Sequence, residues 1–396
     1  MSSQPSSLNA SPHAVIAAPP SITGNERLHR ATVELLDKAA IRVNGSNPWD
    51  MQIRAAGVPE RAFSQGNLGL GEAYMDGAWD AEELDEFFSR LLGTRLTDGI
   101  RPLRLLGYAL TAKLLNRQGK KRAKKVGEVH YDLGNDFYAA MLDSRMTYTC
   151  GYWATATDLE QAQRDKLDLI CRKLKLQPGM RVLDIGCGWG SFMAYAAQHY
   201  GVECVGVTIS KEQVAWAQEH YGDNLPLEFR LQDYRDVNEK FDAIASVGMF
   251  EHVGRKNYRT YMEVAHRCLH DDGLFLLHTI GKNMRKSAPD PWIDKYIFPN
   301  GDLPSVGQIG DAVDNLFVVE DVHNFGADYD KTLMAWFRNF EKAWPRFEHL
   351  LGERFYRMWR YYLLSCAGAF RARDIQLWQW VLSKEGVRDG YRREAI

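Results

Sequence analysis

The six cysteines, at positions 150, 171, 187, 204, 268 and 366, are scattered, and no two form a Cys-x-x-Cys pair. That spacing speaks against a zinc cluster or a disulfide framework and predicts a reducing compartment. No metal is expected. An excess of one charge is also lacking. Forty-nine basic residues face 51 acidic ones, for a formal net charge of -2. Nothing global therefore points to nucleic acid. No apolar run approaches the length of a membrane span. Residues 1–26 are rich in Ser, Pro and Ala, without a basic start or a useful apolar core. They predict a disordered leader rather than a signal peptide. What remains is an ordinary globular composition, 45% hydrophobic and 25% charged, in a chain expected to be cytoplasmic.

The stretch Arg181-Val-Leu-Asp-Ile-Gly-Cys-Gly-Trp-Gly190 organises what is there. Val182, Leu183 and Ile185 predict a buried parallel strand. Gly186, Gly188 and Gly190 let the backbone turn and approach a ligand closely. A helix-like segment follows, with free N–H groups at its start. Strand-like and helix-like segments then alternate: Val182–Ile185, 190–200, Glu203–Val207, 210–220, Leu227–Leu231, Ala243–Val247, 257–269, Leu274–Thr279. The pattern predicts an α/β fold, a doubly wound parallel sheet with ligands at the carboxyl ends of its strands.

A dinucleotide site would want an acid at the end of the second strand. That strand ends Val205-Gly-Val-Thr-Ile-Ser210, with none, so the pattern leans away from NAD. Thr208 and Gln213 offer neutral hydrogen bonds suited to a ribose. Gln232 and Asp233 close the third strand, where an acid can receive an exocyclic amine. An Asp at such an edge is more often a helix cap or turn former; the place of Asp233 in the series favours adenine.

The segments Asp184–Gly190, Val207–Ser210 and Gln232–Asp236 resemble those of S-adenosylmethionine-dependent methyltransferases. More narrowly, His130-Tyr-Asp-Leu-Gly-Asn-Asp136, Tyr148-Thr-Cys-Gly-Tyr-Trp153 and Ser246-Val-Gly-Met-Phe-Glu-His-Val-Gly254 are similar to those of cyclopropane-fatty-acyl-phospholipid synthases. So are Leu276–Gly281, Pro291–Gly301, Asn324–Tyr329 and Cys366–Asp374. The family's usual Ser-Cys-Ala reads Thr149-Cys150-Gly151 here. The resemblance implies a Rossmann-like class I methyltransferase domain over 126–396. It also implies a smaller N-terminal α+β domain, 27–100, that docks on lipid. S-adenosylmethionine is the implied methyl donor. The implied reaction adds a methylene across a cis double bond of a phospholipid acyl chain, closing a cyclopropane ring. Tyr148 and Thr149 join Gly186, Gly188, Gly190, Thr208, Gln213, Gln232 and Asp233 as cofactor residues.

The resemblance further implies a bound bicarbonate as general base. Its O–H wants an acceptor and its oxygens want donors. Glu251 can accept; His278, Tyr329, Cys150 and the backbone N–H of Ile280 can donate. His252 competes with His278, which is preferred. Cys366 is included, although the chemistry needs no covalent sulfur and favours a supporting or packing role. Tyr131, Phe137, Trp153, Phe250, Tyr261 and Phe325 are candidates for stabilising positive charge, and none is assigned.

Residues 101–125 carry nine Lys or Arg and no acid, interleaved with leucines. They read equally as a surface helix with a basic linker and as an amphipathic segment drawn to anionic lipid. The acidic, aromatic stretch from Glu72 to Glu86 reads as a solvated face. The aromatic C-terminal part (Trp336, Phe337, Phe340, Trp344, Phe347, Phe355, Trp359, Tyr361, Tyr362) reads as tunnel lining or as core. The implied partners are a phospholipid membrane surface on its inner, cytoplasmic side, an unsaturated acyl chain and a second copy in a homodimer. A lipid methyltransferase leaving a methyl branch and a non-catalytic lipid-binding protein are the alternatives.

Overall fold

The computed structural model describes residues 26–95, 134–222, 224–285 and 289–393. The expected leader, bar its last residue, and the basic segment 101–125 lie outside these residues, as does Tyr131. The described strands are β1 (Gln52–Ile53), β2 (Trp79–Asp80), β3 (Arg181–Ile185), β4 (Glu203–Thr208), β5 (Leu227–Leu231), β6 (Phe241–Val247), β7 (Leu269–Lys282), β8 (Val318–Asn324) and β9 (Ile375–Ser383).

Seven strands form one sheet in the order β5-β4-β3-β6-β7-β9-β8. The first five are parallel, as the alternation of apolar runs predicts. The wholly parallel sheet is corrected at its far edge. There β9 runs antiparallel between β7 and β8, completing a mixed sheet. Val182, Leu183 and Ile185 of β3 are fully buried between flanking helices. The carboxyl ends of β3, β4, β5, β6 and β7 deliver Gly186, Thr208, Gln232, Glu251 and Ile280 towards one cavity.

The N-terminal part is built from the helices Glu26–Asp37, Val58–Gln65, Asn67–Met75 and Leu84–Gly93. β1 and β2 form a two-residue antiparallel pairing beside these helices. The acidic stretch is not merely solvated. The buried Arg357 guanidinium donates to the carbonyls of Tyr74 (2.6 Å) and Trp79 (3.0 Å) and to Asp80 (3.1 Å). Arg371 pairs with Asp85 at 2.7 Å and Glu86 at 3.2 Å. These arginines project from the long helix Glu348–Arg371, so the acids fix the N-terminal helices to it. Apolar packing reinforces the join: the Phe88 and Tyr361 rings meet edge-on at 5.2 Å.

Most of the C-terminal aromatic residues are core. Phe137 is surrounded by Phe340, Phe347, Phe355 and Trp359, with ring centroids 5.1–6.1 Å away. Of the nine aromatic residues offered as tunnel lining, only Tyr362 reaches the cavity wall. Among the described residues, no helix is long and apolar enough to cross a membrane.

Candidate active site

The turn after β3 forms one wall of the cavity. Gly186, Gly188 and Gly190 all have positive φ, between 54° and 86°. At Gly188 an added Cβ would meet only Gln213 Nε2, at 4.0 Å. That position is therefore kept open toward the cavity rather than filled by packing. Gly190 instead begins the helix Ser191–Tyr200 and lies off the cavity wall. Thr208 and Gln213 line the cavity together, joined by a 3.0 Å bond from Thr208 Oγ1 to Gln213 Oε1. Gln232 and Asp233 line it as well. Asp233 does act as a cap, accepting from Arg235 N at 3.0 Å, and it also takes Arg235 Nε at 2.8 Å.

Tyr148 and Thr149 face this turn. Tyr148 shares a 2.9 Å hydroxyl contact with Tyr362. Thr149 Oγ1 accepts from Lys166 Nζ at 2.9 Å. Lys166 lies in the helix Leu159–Lys173, is 1% exposed, and also borders the cavity. Burial lowers its ammonium to about 8, against the pull of Asp143, Cys150 and Asp184. The Asp184 carboxyl is pushed up to about 7 by burial, opposed by Lys166. Its Oδ1 has no hydrogen-bond partner. Lys166 and Asp184 were not singled out as site residues in the sequence. Asp184 lay inside the glycine motif, a readable signal. Lys166 looked like any helical lysine, and only its burial reveals it.

Glu251 and Ile280 come together directly, because Ile280 N donates to Glu251 Oε1 at 2.7 Å. The Ile280 N–H expected to serve a base therefore holds Glu251 instead. This leaves Glu251 Oε2 buried without a partner. Burial pushes the Glu251 carboxyl up to about 7, against the Ile280 N–H. Two residues back along the same face of β7, His278 is buried. It lies behind the cavity wall, with the Gln379 amide 3.2 Å from its Nδ1; with Gln379 Nε2 donating there, the imidazole carries its proton on Nε2. Nε2 has no partner. Burial, with the charges of Lys166 and Lys173, holds this imidazole well below its usual range, so it is neutral.

Tyr329 lines the cavity beside Glu251 and stacks on Phe370 at 4.5 Å. Its phenol is raised by burial and feels Cys150, Glu251, Tyr148 and Cys366. Cys150 sits behind the wall, with Sγ on the Gly151 carbonyl at 3.2 Å. Burial raises its thiol well above the usual value. Cys366 borders the cavity, and its thiol is pushed up to about 12 by burial. A thiol held there is a poor nucleophile. His252 also borders the cavity, with its imidazole lowered to about 4 by burial and an unpartnered Nδ1. None of Phe137, Trp153, Phe250, Tyr261 and Phe325 lines the cavity; Trp189, Phe298, Tyr329, Tyr362 and Phe370 take that place. Among the described residues, no cluster of His, Cys, Asp and Glu could hold a metal.

The cavity, of about 760 Å³, continues past Glu251 and Ile280 into the N-terminal helices. There its wall is Leu35, Leu36, Phe63, Leu70, Phe88 and Leu91, with close neighbours of the same kind. The two polar side chains in that lining are already bonded, Thr32 to the Leu28 carbonyl and Asn67 to Asp290, each at 2.9 Å. A polar end and a hydrocarbon end thus share one space.

Comparison with known proteins adds the lineage. The profile of the mycolic acid cyclopropane synthetase family matches residues 118–380. The cyclopropane-fatty-acyl-phospholipid synthase of Escherichia coli is 54% identical over 373 residues, 93% of this chain and 96% of that protein. The cyclopropane synthase MmaA2 from Mycobacterium tuberculosis superposes with a TM-score of 0.63 and 32% identity, over 66% of this chain and 98% of that one. The mycolic acid cyclopropane synthase CmaA1, complexed with SAH and CTAB, superposes at 0.62 with 34% identity, over 66% and 98%.

Proposed function

We propose a function from one premise: the chain belongs to the mycolic acid cyclopropane synthetase family. It is an S-adenosylmethionine-dependent methyltransferase with the class I fold, and it cyclopropanates lipid. In our reading its substrate is the cis-unsaturated acyl chain of a membrane phospholipid, with bicarbonate as the base. The observation that carries this reading is the single cavity joining the glycine turn, Glu251 and a hydrocarbon compartment. The E. coli phospholipid synthase matches 93% of this chain, whereas the two mycobacterial cyclopropane synthases cover 66% of it. That difference supports a phospholipid as substrate.

S-adenosylmethionine supplies an electrophilic methyl group, and bicarbonate, when bound, would supply an oxygen base for the proton that must leave. The buried polar atoms without partners fit that anion. Glu251 Oε2 is an acceptor for its O–H. His278 Nε2–H and the Tyr329 hydroxyl are donors for its oxygens. Glu251 is held in place by the Ile280 N–H. Lys166, whose charge is felt by both Cys150 and His278, favours negative charge in this wall. Tyr148, Tyr329 and Tyr362 line the cavity with aromatic rings, suited to positive charge developing on the acyl chain. The apolar walls exclude water, so that charge is not trapped before the ring closes.

A bilayer-buried double bond must be drawn out of the membrane, at roughly 0.8 kcal/mol per CH₂ if water were met on the way. The protein therefore works as a peripheral enzyme on the inner face of the membrane, with the basic segment 101–125 adding attraction to anionic lipid. A homodimer would present two docking faces. The test is incubation with S-adenosylmethionine, bicarbonate and vesicles of cis-unsaturated phospholipid, followed by proton NMR of the extracted lipid. Upfield ring-methylene signals are expected. A vinylic methyl signal would replace this reading with a branching methyltransferase, and no turnover despite lipid binding would replace it with a binding protein.

A further inference from the structure

The cavity wall carries three cationic side chains among the described residues: Lys166, Arg235 and Lys282. Two are engaged. Lys166 is bonded to Thr149, and Arg235 is paired with Asp233. Lys282 has no ion pair or side-chain hydrogen bond among the described residues, and it is half-buried. It ends β7, two residues beyond Ile280 and on the same face. Its partner across the ladder is Ile375, which also lines the wall, as does the adjacent Asp374.

The surface beside Lys282 is unusual in a second respect. Met284 is 52% exposed and Val306 is 47% exposed, two of the few large apolar side chains the described surface shows. They belong to one place. Lys282 bridges to Ser305 and donates its N–H to the Pro304 carbonyl at 2.8 Å. Arg285 reaches the Gly307 carbonyl at 3.1 Å and pairs with Asp311 at 2.6 Å. Two exposed apolar side chains thus stand close in the fold to a cavity-wall lysine that is unpaired among the described residues. An aqueous solute would gain nothing from exposed Met and Val. A bilayer surface offers hydrocarbon for them and phosphodiester for the lysine.

We propose that Lys282, Met284 and Val306 form the rim through which the protein docks on a phospholipid surface, with Lys282 taking the lipid phosphodiester. This rests on the phospholipid reading above. It also fixes the direction of the substrate. The headgroup stays at the Lys282 rim, the double bond passes Ile280 and Glu251, and the methyl end occupies the compartment of Leu36, Phe63 and Leu91.

The test is sedimentation of the full chain with vesicles of cis-unsaturated phosphatidylglycerol and phosphatidylethanolamine, at low and raised salt. Met284→Asp with Val306→Asp is expected to weaken partitioning about tenfold. Lys282→Glu alone should weaken it at least about fivefold and flatten the salt dependence. Leu350→Asp, at a site 72% exposed and off the cavity, should change nothing. Calorimetric affinity for S-adenosylmethionine reports whether each variant is folded. Wild-type partitioning by both rim variants, or no vesicle binding by the wild type, would overturn the rim. Rim-dependent binding by a protein that forms no ring on any lipid would leave the rim standing and remove the phospholipid-synthase reading.

Discussion

The two ends of the cavity are built on opposite principles. The end under the strand tips is lined by Glu251, Asp184 and Lys166, with His278 buried behind that wall, and the protonation of each is displaced by burial. The end among the N-terminal helices is largely hydrocarbon, and its two polar side chains, Thr32 and Asn67, are already bonded. A buried group left without a partner is costly, so it persists where a ligand completes it. A hydrocarbon wall has no such debt and can only select by shape. The chemistry is thus concentrated at one end and the fit at the other.

The comparison breaks most sharply at Glu251. Glu251→Gln keeps the Ile280 contact but loses the carboxylate that would orient the base through its O–H, so turnover is expected to fall about 10²- to 10⁴-fold. Its affinity for S-adenosylmethionine should stay as in the wild type, measured by calorimetry. At the other end, Leu91→Trp shortens the compartment. The expectation is a loss of roughly tenfold in kcat/KM for long acyl chains, and less for short ones. Equal losses across chain lengths would make that end mere core. Lys166→Met tests the polar end without touching the base. It frees Thr149 and leaves Asp184 without its cation, so cofactor affinity should weaken about tenfold, with vesicle binding unchanged.

The last effect is on stability rather than on turnover or binding. The Glu251 carboxyl stands at about 7 in the folded chain, above its ordinary value of 4.5. Its favourable contribution is full below about pH 4.5 and is lost as pH rises through about 7. Glu251→Gln has no such loss. The variant should gain on the wild type between those limits, by roughly 3 kcal/mol. Urea unfolding at pH 4, 6 and 8 reads this directly, and a constant difference would place the carboxyl near its ordinary value.

The sequence made the polar end legible and the apolar end nearly invisible. The expected strand Leu227–Leu231 is observed with those bounds, and Val182–Ile185 gains only Arg181. Apolar runs between glycines leave a buried parallel strand few alternatives. β8 and β9 were missed because their pairing is set by neighbours far away in the chain. The stretch Gly66–Gly71 carries three glycines, yet most of it lies in the helix Asn67–Met75. Gly71 is there for contact, since a Cβ would meet the Trp292 ring at 2.5 Å. Helix propensity lost to that packing. The aromatic C-terminal residues could line a tunnel or fill a core by composition alone. Only the fold shows Tyr362 at the wall and Trp336, Phe340 and Trp359 in the core. Likewise, the motifs name Glu251 and His278, but only the fold shows which atom of each has no partner.

The central claim is that one channel runs from the cofactor turn into the N-terminal helices. Photocrosslinking tests it, using a phospholipid with a diazirine near the methyl end of its acyl chain, read by peptide mass spectrometry. The account predicts adducts within Glu26–Asp37, Val58–Gln65 and Leu84–Gly93. Adducts confined to the helix Ala327–Ala343, around Trp336 and Phe340, would contradict it.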